Sequence, residues 1–202
     1  MADEERGHRW FAACYTRIAE PMNRRRIAPI AHELLGGLTG DVLEIGAGNG
    51  ATFRHYSNAA RVLALEPDPH MRRHAAPNLR PNIRLEAGAG ERLPASDASV
   101  DAVVVSLVLC TVHDVARTLA EVRRVLKPGG TFVFIEHVRS GGVMGRLQDL
   151  SQPVYGWTAG GCHWNRRTEE AIGDAGFRFE RLDRHSMAGI KLISGVARDG
   201  AT

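Results

Sequence analysis

Residues 41–45, Asp-Val-Leu-Glu-Ile, run straight into Gly46-Ala47-Gly48-Asn49-Gly50, and this order of apolar strand and turn ahead of a helix recurs down the chain. Further strand-like segments are 61–65, ending at Glu66-Pro67, then 83–86, 101–109 and 131–138. The 101–109 run is almost wholly apolar, as a strand buried on both faces requires. Val115, Leu119, Val122 and Leu126 recur in steps of four, three and four, with Arg117, Glu121, Arg123 and Arg124 on other faces. That is an amphipathic helix, and Lys127-Pro128-Gly129-Gly130 stops it. A helix near 168–175 and two late strands at 177–183 and 190–197 bring the strand total to seven. Alternating strands and helices dictate an α/β fold with a doubly wound, mostly parallel sheet. Residues 10–37 read as cap helices ahead of the first strand. The stretch 139–166, Gly-rich with two Trp, reads as a loop or short-helix lid. At 202 residues the chain is long enough for one self-sufficient core, so residues 1–202 are read as a single domain.

Composition narrows the setting. No apolar run approaches the roughly 20 residues of a membrane-spanning helix. The start, MADEERGHRW, lacks the basic and then apolar pattern of a secretory leader, so a cytoplasmic protein without a membrane partner is expected. Cys14, Cys110 and Cys162 are odd in number and never form a Cys-x-x-Cys pair. A disulfide scaffold and a structural zinc site are both disfavoured, and no metal is expected. The formal charge of +3 is small for this length, and Arg24-Arg25-Arg26 reads as a solvated helix face. Without a strong basic stripe, a nucleic-acid partner is not expected. A monomer or homodimer acting on a small-molecule substrate remains.

In open α/β sheets ligands bind beyond the carboxyl ends of the strands, where strand order reverses. Glycines after the first strand let the backbone turn tightly and approach a ligand. Twenty residues past Gly46, at the end of the second strand, stands Glu66, a carboxylate suited to both hydroxyls of a ribose. Together they predict an adenosine-containing cofactor. Replacing Glu66 with Ala is expected to weaken its binding and leave the fold intact. The turn also satisfies G-x-G-x-x-A through Gly46, Gly48 and Ala51, which keeps a nicotinamide cofactor as a rival. Against it, the residues four after Tyr15, Tyr56 and Tyr155 are all Ala, so no Tyr-x-x-x-Lys pair exists. Glu44 also brings a carboxylate close to the turn, where a cationic ligand fits better than a pyrophosphate. S-adenosylmethionine, with its ammonium and sulfonium, is such a ligand.

LEIGAGNG, LALEPD, GAGERLPASDASVDAVVVSLVLCTV and VRRVLKPGGTFVFIEHV together resemble the class I S-adenosylmethionine-dependent methyltransferases, in the group containing the ubiquinone/menaquinone-biosynthesis enzymes. The likeness spans about residues 40 to 138 and implies a Rossmann-like methyltransferase fold. VVSLVLCTV followed by LKPGG and EHV most resembles the small-molecule thiol S-methyltransferases, although the apolar N-terminal anchor of their membrane-bound members has no counterpart here. By this resemblance Glu44, Gly46, Ala47, Gly48 and Asn49 line the methionine end of the cofactor. Glu66 holds the ribose, and Pro67 and Met71 pack near the adenine. Many relatives have an Asp where this chain has Ala89, so Gly90 backbone or the Glu91 side chain substitutes in the adenine contact. Ser106 and Leu107 present backbone near the reacting methyl, and Tyr15 caps the methionine moiety.

Methyl transfer is an in-line displacement, so alignment carries most of the catalysis. A thiol is already a few per cent ionised at neutral pH and scarcely needs a base, whereas an alcohol needs one. His137, just past the fifth strand's apolar core, is the candidate base. His113, Tyr155, Trp157, Cys162, His163 and Trp164 are candidates for the acceptor pocket, the aromatics suiting an apolar or planar molecule. The Asn/Asp-Pro-Pro-aromatic signature of amino-group methylation on DNA bases or glutamine is absent, since Ser106-Leu107-Val108-Leu109 stands in its place. S-methylation of a small molecule is the leading expectation. O- or N-methylation of a metabolite and a non-catalytic nucleoside-binding module stay open as alternatives.

Overall fold

The computed structural model describes residues 20–158, 161–187 and 190–200. Helix α1 (Glu20–Leu35) leads into β1 (Gly40–Ile45), followed by β2 (Ala60–Leu65), α2 (Pro69–Ala75), β3 (Ile83–Glu86) and β4 (Val100–Ser106). Then come α3 (Val115–Val125), β5 (Leu126–Val138), α4 (Gly142–Thr158), α5 (Thr168–Asp174), β6 (Phe177–Met187) and β7 (Ile190–Asp199). The strands form one seven-stranded sheet in the order β3-β2-β1-β4-β5-β7-β6. The first five are parallel, and β7 runs antiparallel between β5 and β6. From β1 the chain works outward to β3 and then crosses back to β4. The order therefore reverses between β1 and β4, whose carboxyl ends open on one rim.

Both faces of the sheet are covered. Leu43, Val103, Val105, Phe132 and Phe134 pack on one side with Leu119 and Val122 of α3 and Ile172 of α5. Val42, Val62, Val104 and Ile135 pack on the other with Ala31 and Leu35 of α1 and Phe53. Alternate β4 residues thus serve opposite cores, which explains its nearly unbroken apolar sequence. Helix starts are fixed locally: Asp68 accepts the His70 and Met71 N–H groups, and Asp114 accepts that of Arg117.

The expected order of elements is present, with three corrections. β4 stops at Ser106, three residues short of the apolar run's end, because Leu107 takes a left-handed backbone (φ 58°). Leu109 is apolar because it is buried in a turn. Residues 127–130 end α3 as expected but belong to the irregular start of β5, where the pairing shifts register between Val100 and Ala102. The stretch 139–166, expected as a loop or short helix, holds a 17-residue helix, α4 (Gly142–Thr158), with Pro153 inside it. Within the expected N-terminal cap, helix α1 occupies Glu20–Leu35, and Tyr15 lies outside the described residues.

Candidate functional site

The glycine turn after β1 supplies the first wall. Gly46, Gly48 and Gly50 all have positive φ (68°, 56° and 74°), a geometry that side chains other than hydrogen disfavour. A Cβ on Gly46 would stand 2.5 Å from Val108 Cγ2. Gly46→Ala is therefore expected to lower stability by about 2 kcal/mol or more through left-handed strain and overlap. It should also lower cofactor affinity, and parallel melting and calorimetric titration would check both. The Ala47 N–H donates to the Leu65 carbonyl at 2.9 Å, tying the turn to β2. Asn49 is buried, and its carbonyl accepts from Asn78 Nδ2 at 2.9 Å. Met71 is buried with its Cε 3.6 Å from the position of a Cβ on Gly48.

Two buried carboxyl groups flank this turn. Glu44 is 1% exposed, and Thr52 Oγ1 donates to its Oε1 at 2.6 Å. Its Oε2 is buried and has no hydrogen-bond partner among the described residues. Burial pushes the Glu44 pKa up to about 7 against the opposing effect of the Thr52 hydroxyl. The Tyr56 hydroxyl also lies close enough to favour the charged form, without a hydrogen bond of good geometry. The Glu44 Oε2 and the Tyr56 hydroxyl are thus both left short of a good hydrogen bond, and a cationic donor entering beside them satisfies the carboxylate best. Glu66 accepts the Gly48 N–H on Oε2 at 2.8 Å and the Asp68 N–H on Oε1 at 2.9 Å. Burial raises its pKa, and those two N–H groups oppose the rise. Each carboxylate oxygen accepts more than one hydrogen bond, so the pair can still serve a diol. The N–H contacts correct one expectation: Glu66→Ala would not leave the fold untouched, because it unfastens the glycine turn.

The remaining predicted positions spread around the rim. Gly90 is buried, and a Cβ there would meet Thr118 Cγ2 at 2.8 Å. The Glu91 carboxylate accepts the His113 N–H at 2.9 Å and the Asp114 N–H at 3.4 Å, so it fastens the approach to α3. His113 itself is exposed there, as is Pro67 after β2. Ser106 ends β4, and the N–H of Leu107 just beyond it donates to the Ile135 carbonyl at 2.8 Å.

Sequence reasoning missed the group that shapes this end of β4. Glu136 is fully buried, and its Oε1 accepts the Val108 and Leu109 N–H groups at 2.8 and 2.9 Å. Burial pushes its pKa up to about 8, opposed by the N–H groups of Leu109, Val108 and Cys110. Its signal was a lone carboxylate closing an apolar strand beside the more conspicuous His137.

α4 and residues 161–166, where the sequence places the acceptor-pocket candidates, pack against the turn after β4. Gln152 Nε2 donates to the Cys162 carbonyl and Gln148 Nε2 to the Trp164 carbonyl, at 3.1 and 3.2 Å. The His163 N–H donates to the Cys110 carbonyl at 2.7 Å, and Arg166 Nη1 reaches the Leu109 carbonyl. Tyr155 and Trp164 stack on each other with ring centroids 4.4 Å apart. Trp157 lies on α4, and the His163 side chain is exposed. Cys162 is buried and comes together with Cys110 and the half-buried His137, although they are far apart in sequence. The Cys110 thiol and His137 hold the Cys162 sulfur below the ordinary thiol range, while Cys110 is pushed up.

Residues 43–134 match the family model described as a methyltransferase domain. Over 183 residues the chain is 33% identical to thiol S-methyltransferase TMT1B of Homo sapiens, covering 83% of this chain and 75% of that protein. It is 31% identical over 129 residues to the ubiquinone/menaquinone biosynthesis C-methyltransferase UbiE of Rubrivivax gelatinosus, covering 64% of this chain and 46% of that one. Among solved structures, an S-adenosylmethionine dependent methyltransferase from Mesorhizobium loti superposes with a TM-score of 0.64 at 24% identity, covering 85% of this chain and 97% of that one. Among the described residues no helix is long and apolar enough to cross a membrane.

Proposed function

The chain belongs to the class I S-adenosylmethionine-dependent methyltransferases, and from that premise we propose that it methylates the sulfur of a small thiol, with the donor held between the β1 and β2 turns. The observation that carries the donor assignment is the buried, unpartnered Oε2 of Glu44 beside three left-handed glycines. A donor ammonium supplies the missing hydrogen bond and the missing charge together. Glu66 takes the ribose hydroxyls with the lone pairs that Gly48 and Asp68 leave open. When bound, the cofactor supplies a methyl group already activated on a sulfonium.

The chain's own work is then positioning. Leu107, held in a left-handed conformation by the turn behind it, sets the edge of the donor pocket at the end of β4. The Tyr155–Trp164 stack and residues 161–166 cover the acceptor side and exclude water. The thiol assignment is supported by the likeness, over 83% of the chain, to a protein named for thiol S-methylation. Methyl-labelled S-adenosylmethionine incubated with a panel of thiols, phenols and amines tests it. Label is expected in the thiols, and label found only in phenols or amines would sink the assignment.

Glu66→Gln separates the two duties of that residue. The amide oxygen still accepts one of the two N–H groups, so stability should fall by only about 1 kcal/mol. Donor binding should weaken on the order of 10-fold, measured by calorimetric titration. Unchanged affinity would remove Glu66 from the ribose contact.

A further inference from the structure

We propose that Cys110, His137 and Cys162 form a zinc site with one open position, which receives the acceptor thiol. Among the described residues one ligand atom from each, the two sulfurs and a ring nitrogen, all lie within 4.8 Å of one another. Three separate elements supply them: the turn after β4, the end of β5 and the segment beyond α4. The backbone is braced to keep them together. The His163 N–H donates to the Cys110 carbonyl, and Gln152 Nε2 donates to the Cys162 carbonyl. Both sulfurs are buried and neither is in a disulfide.

The donor set decides the ion. Two thiolates and an imidazole are soft ligands that suit zinc, with metal–ligand bonds of about 2.3 and 2.1 Å. In a tetrahedron those bonds put ligand atoms roughly 3.5 to 4 Å apart, so small side-chain rotations close the present cluster onto a metal. Three protein ligands with the fourth place free is the arrangement of reactive rather than structural zinc sites. The position in the fold fits the same use. Cys110 follows Leu107 and Val108 at the end of β4, and Val108 Cγ2 would meet a Cβ on Gly46. The cluster therefore lies close along the chain to the turn that borders Gly46, and His137 is its one half-buried member.

This inference rests on the thiol reading above. The acceptor sulfur takes the open zinc position and its proton leaves to solvent. A lone pair of the resulting thiolate forms the new bond to the methyl carbon. The bond between that carbon and the sulfonium breaks, its electrons returning to the donor sulfur, which becomes a neutral thioether. The methylated product is also a neutral thioether, a weaker ligand than a thiolate, and it leaves the metal. One acceptor S–H is consumed and one proton released per turnover, with no change of oxidation state.

The test uses the full chain, stripped of metal by a chelator and then titrated with cobalt(II) as a zinc substitute. Tetrahedral cobalt bands and a sulfur-to-cobalt charge-transfer band at one equivalent are expected, and both should shift on adding 2-mercaptoethanol. Zinc should restore thiol methylation on the order of 100-fold over the stripped protein, with donor affinity unchanged in calorimetry. Cys162→Ser should weaken the charge-transfer band, since only the Cys110 sulfur remains, and melting curves check its fold. The stripped parent protein supplies the same comparison if that variant fails to fold. Full thiol methylation by the stripped protein, or a Cys110–Cys162 disulfide in the air-purified chain, would overturn the metal site and leave the thiol reading standing. Thiol-sensitive cobalt bands in a protein that methylates only phenols or amines would instead remove the thiol reading and keep the site.

Discussion

Glu44→Gln is expected to make the ligand-free protein more stable at pH 8 while weakening S-adenosylmethionine binding on the order of 100-fold. Both effects come from one carboxyl group. Burial lifts its pKa from the ordinary 4.5 to about 7 in the folded chain. A carboxyl raised in this way leaves folding unpenalised below about 4.5. Between there and about 7 the unfolded chain sheds its proton more readily than the folded one, so stability falls as pH rises. Above about 7 the full penalty applies, of order 3 kcal/mol for a shift of that size. An amide of the same shape avoids it, and Thr52 can still donate to the amide oxygen. The melting temperature should then rise by several degrees at pH 8 and change little at pH 4.5. Cofactor binding moves the other way, because a charged partner for the ammonium is lost. In the parent protein, affinity should rise with pH through about 7 as Glu44 ionises. A Gln variant that melts no higher at pH 8, or binds the donor as tightly, would contradict this account.

The largest loss of stability is expected at Glu136→Ala. Its Oε1 is the acceptor for two buried N–H groups that follow a strained residue, Leu107. Removing the acceptor strands both donors in a dry interior at about 1–3 kcal/mol each. Removing a carboxyl that burial already disfavours offsets part of that. A net loss of about 3 kcal/mol is expected in urea denaturation. Glu136→Gln keeps an acceptor oxygen in place and should lose less than about 1 kcal/mol. Equal losses in the two variants would show that Glu136 matters for charge and not as the anchor of this turn.

The glycine turn and its neighbouring carboxylates were mostly readable from residue order because they depend on local patterns. Three glycines behind a strand, and a carboxylate at the end of the next strand, determine a turn and its neighbour within a short stretch of chain. The buried strands were equally plain, since β4 alternates between two cores and must be apolar at nearly every position. What escaped depends on contacts distant in sequence. Glu136 is legible as an anchor only once β5 is known to lie against β4. The nearness of Cys110, His137 and Cys162 has no expression in spacing, because it is set by the crossover and by α4 folding back. The lid's helix was obscured by its glycines. Gly145 is buried there with no room for a Cβ, so it reflects close packing and not flexibility.

The Arg139 N–H donates to the Arg166 carbonyl at 2.9 Å, bringing the two ends of the lid excursion side by side. A segment whose ends already meet can be exchanged for another of different length with little entropic effect on the sheet beneath it. Under the proposed function, such an exchange is expected to change acceptor preference and leave donor affinity as it was. A chimera carrying a relative's 140–165 segment, with a cysteine kept at position 162, tests that separation by pairing an acceptor panel with calorimetric titration of the donor.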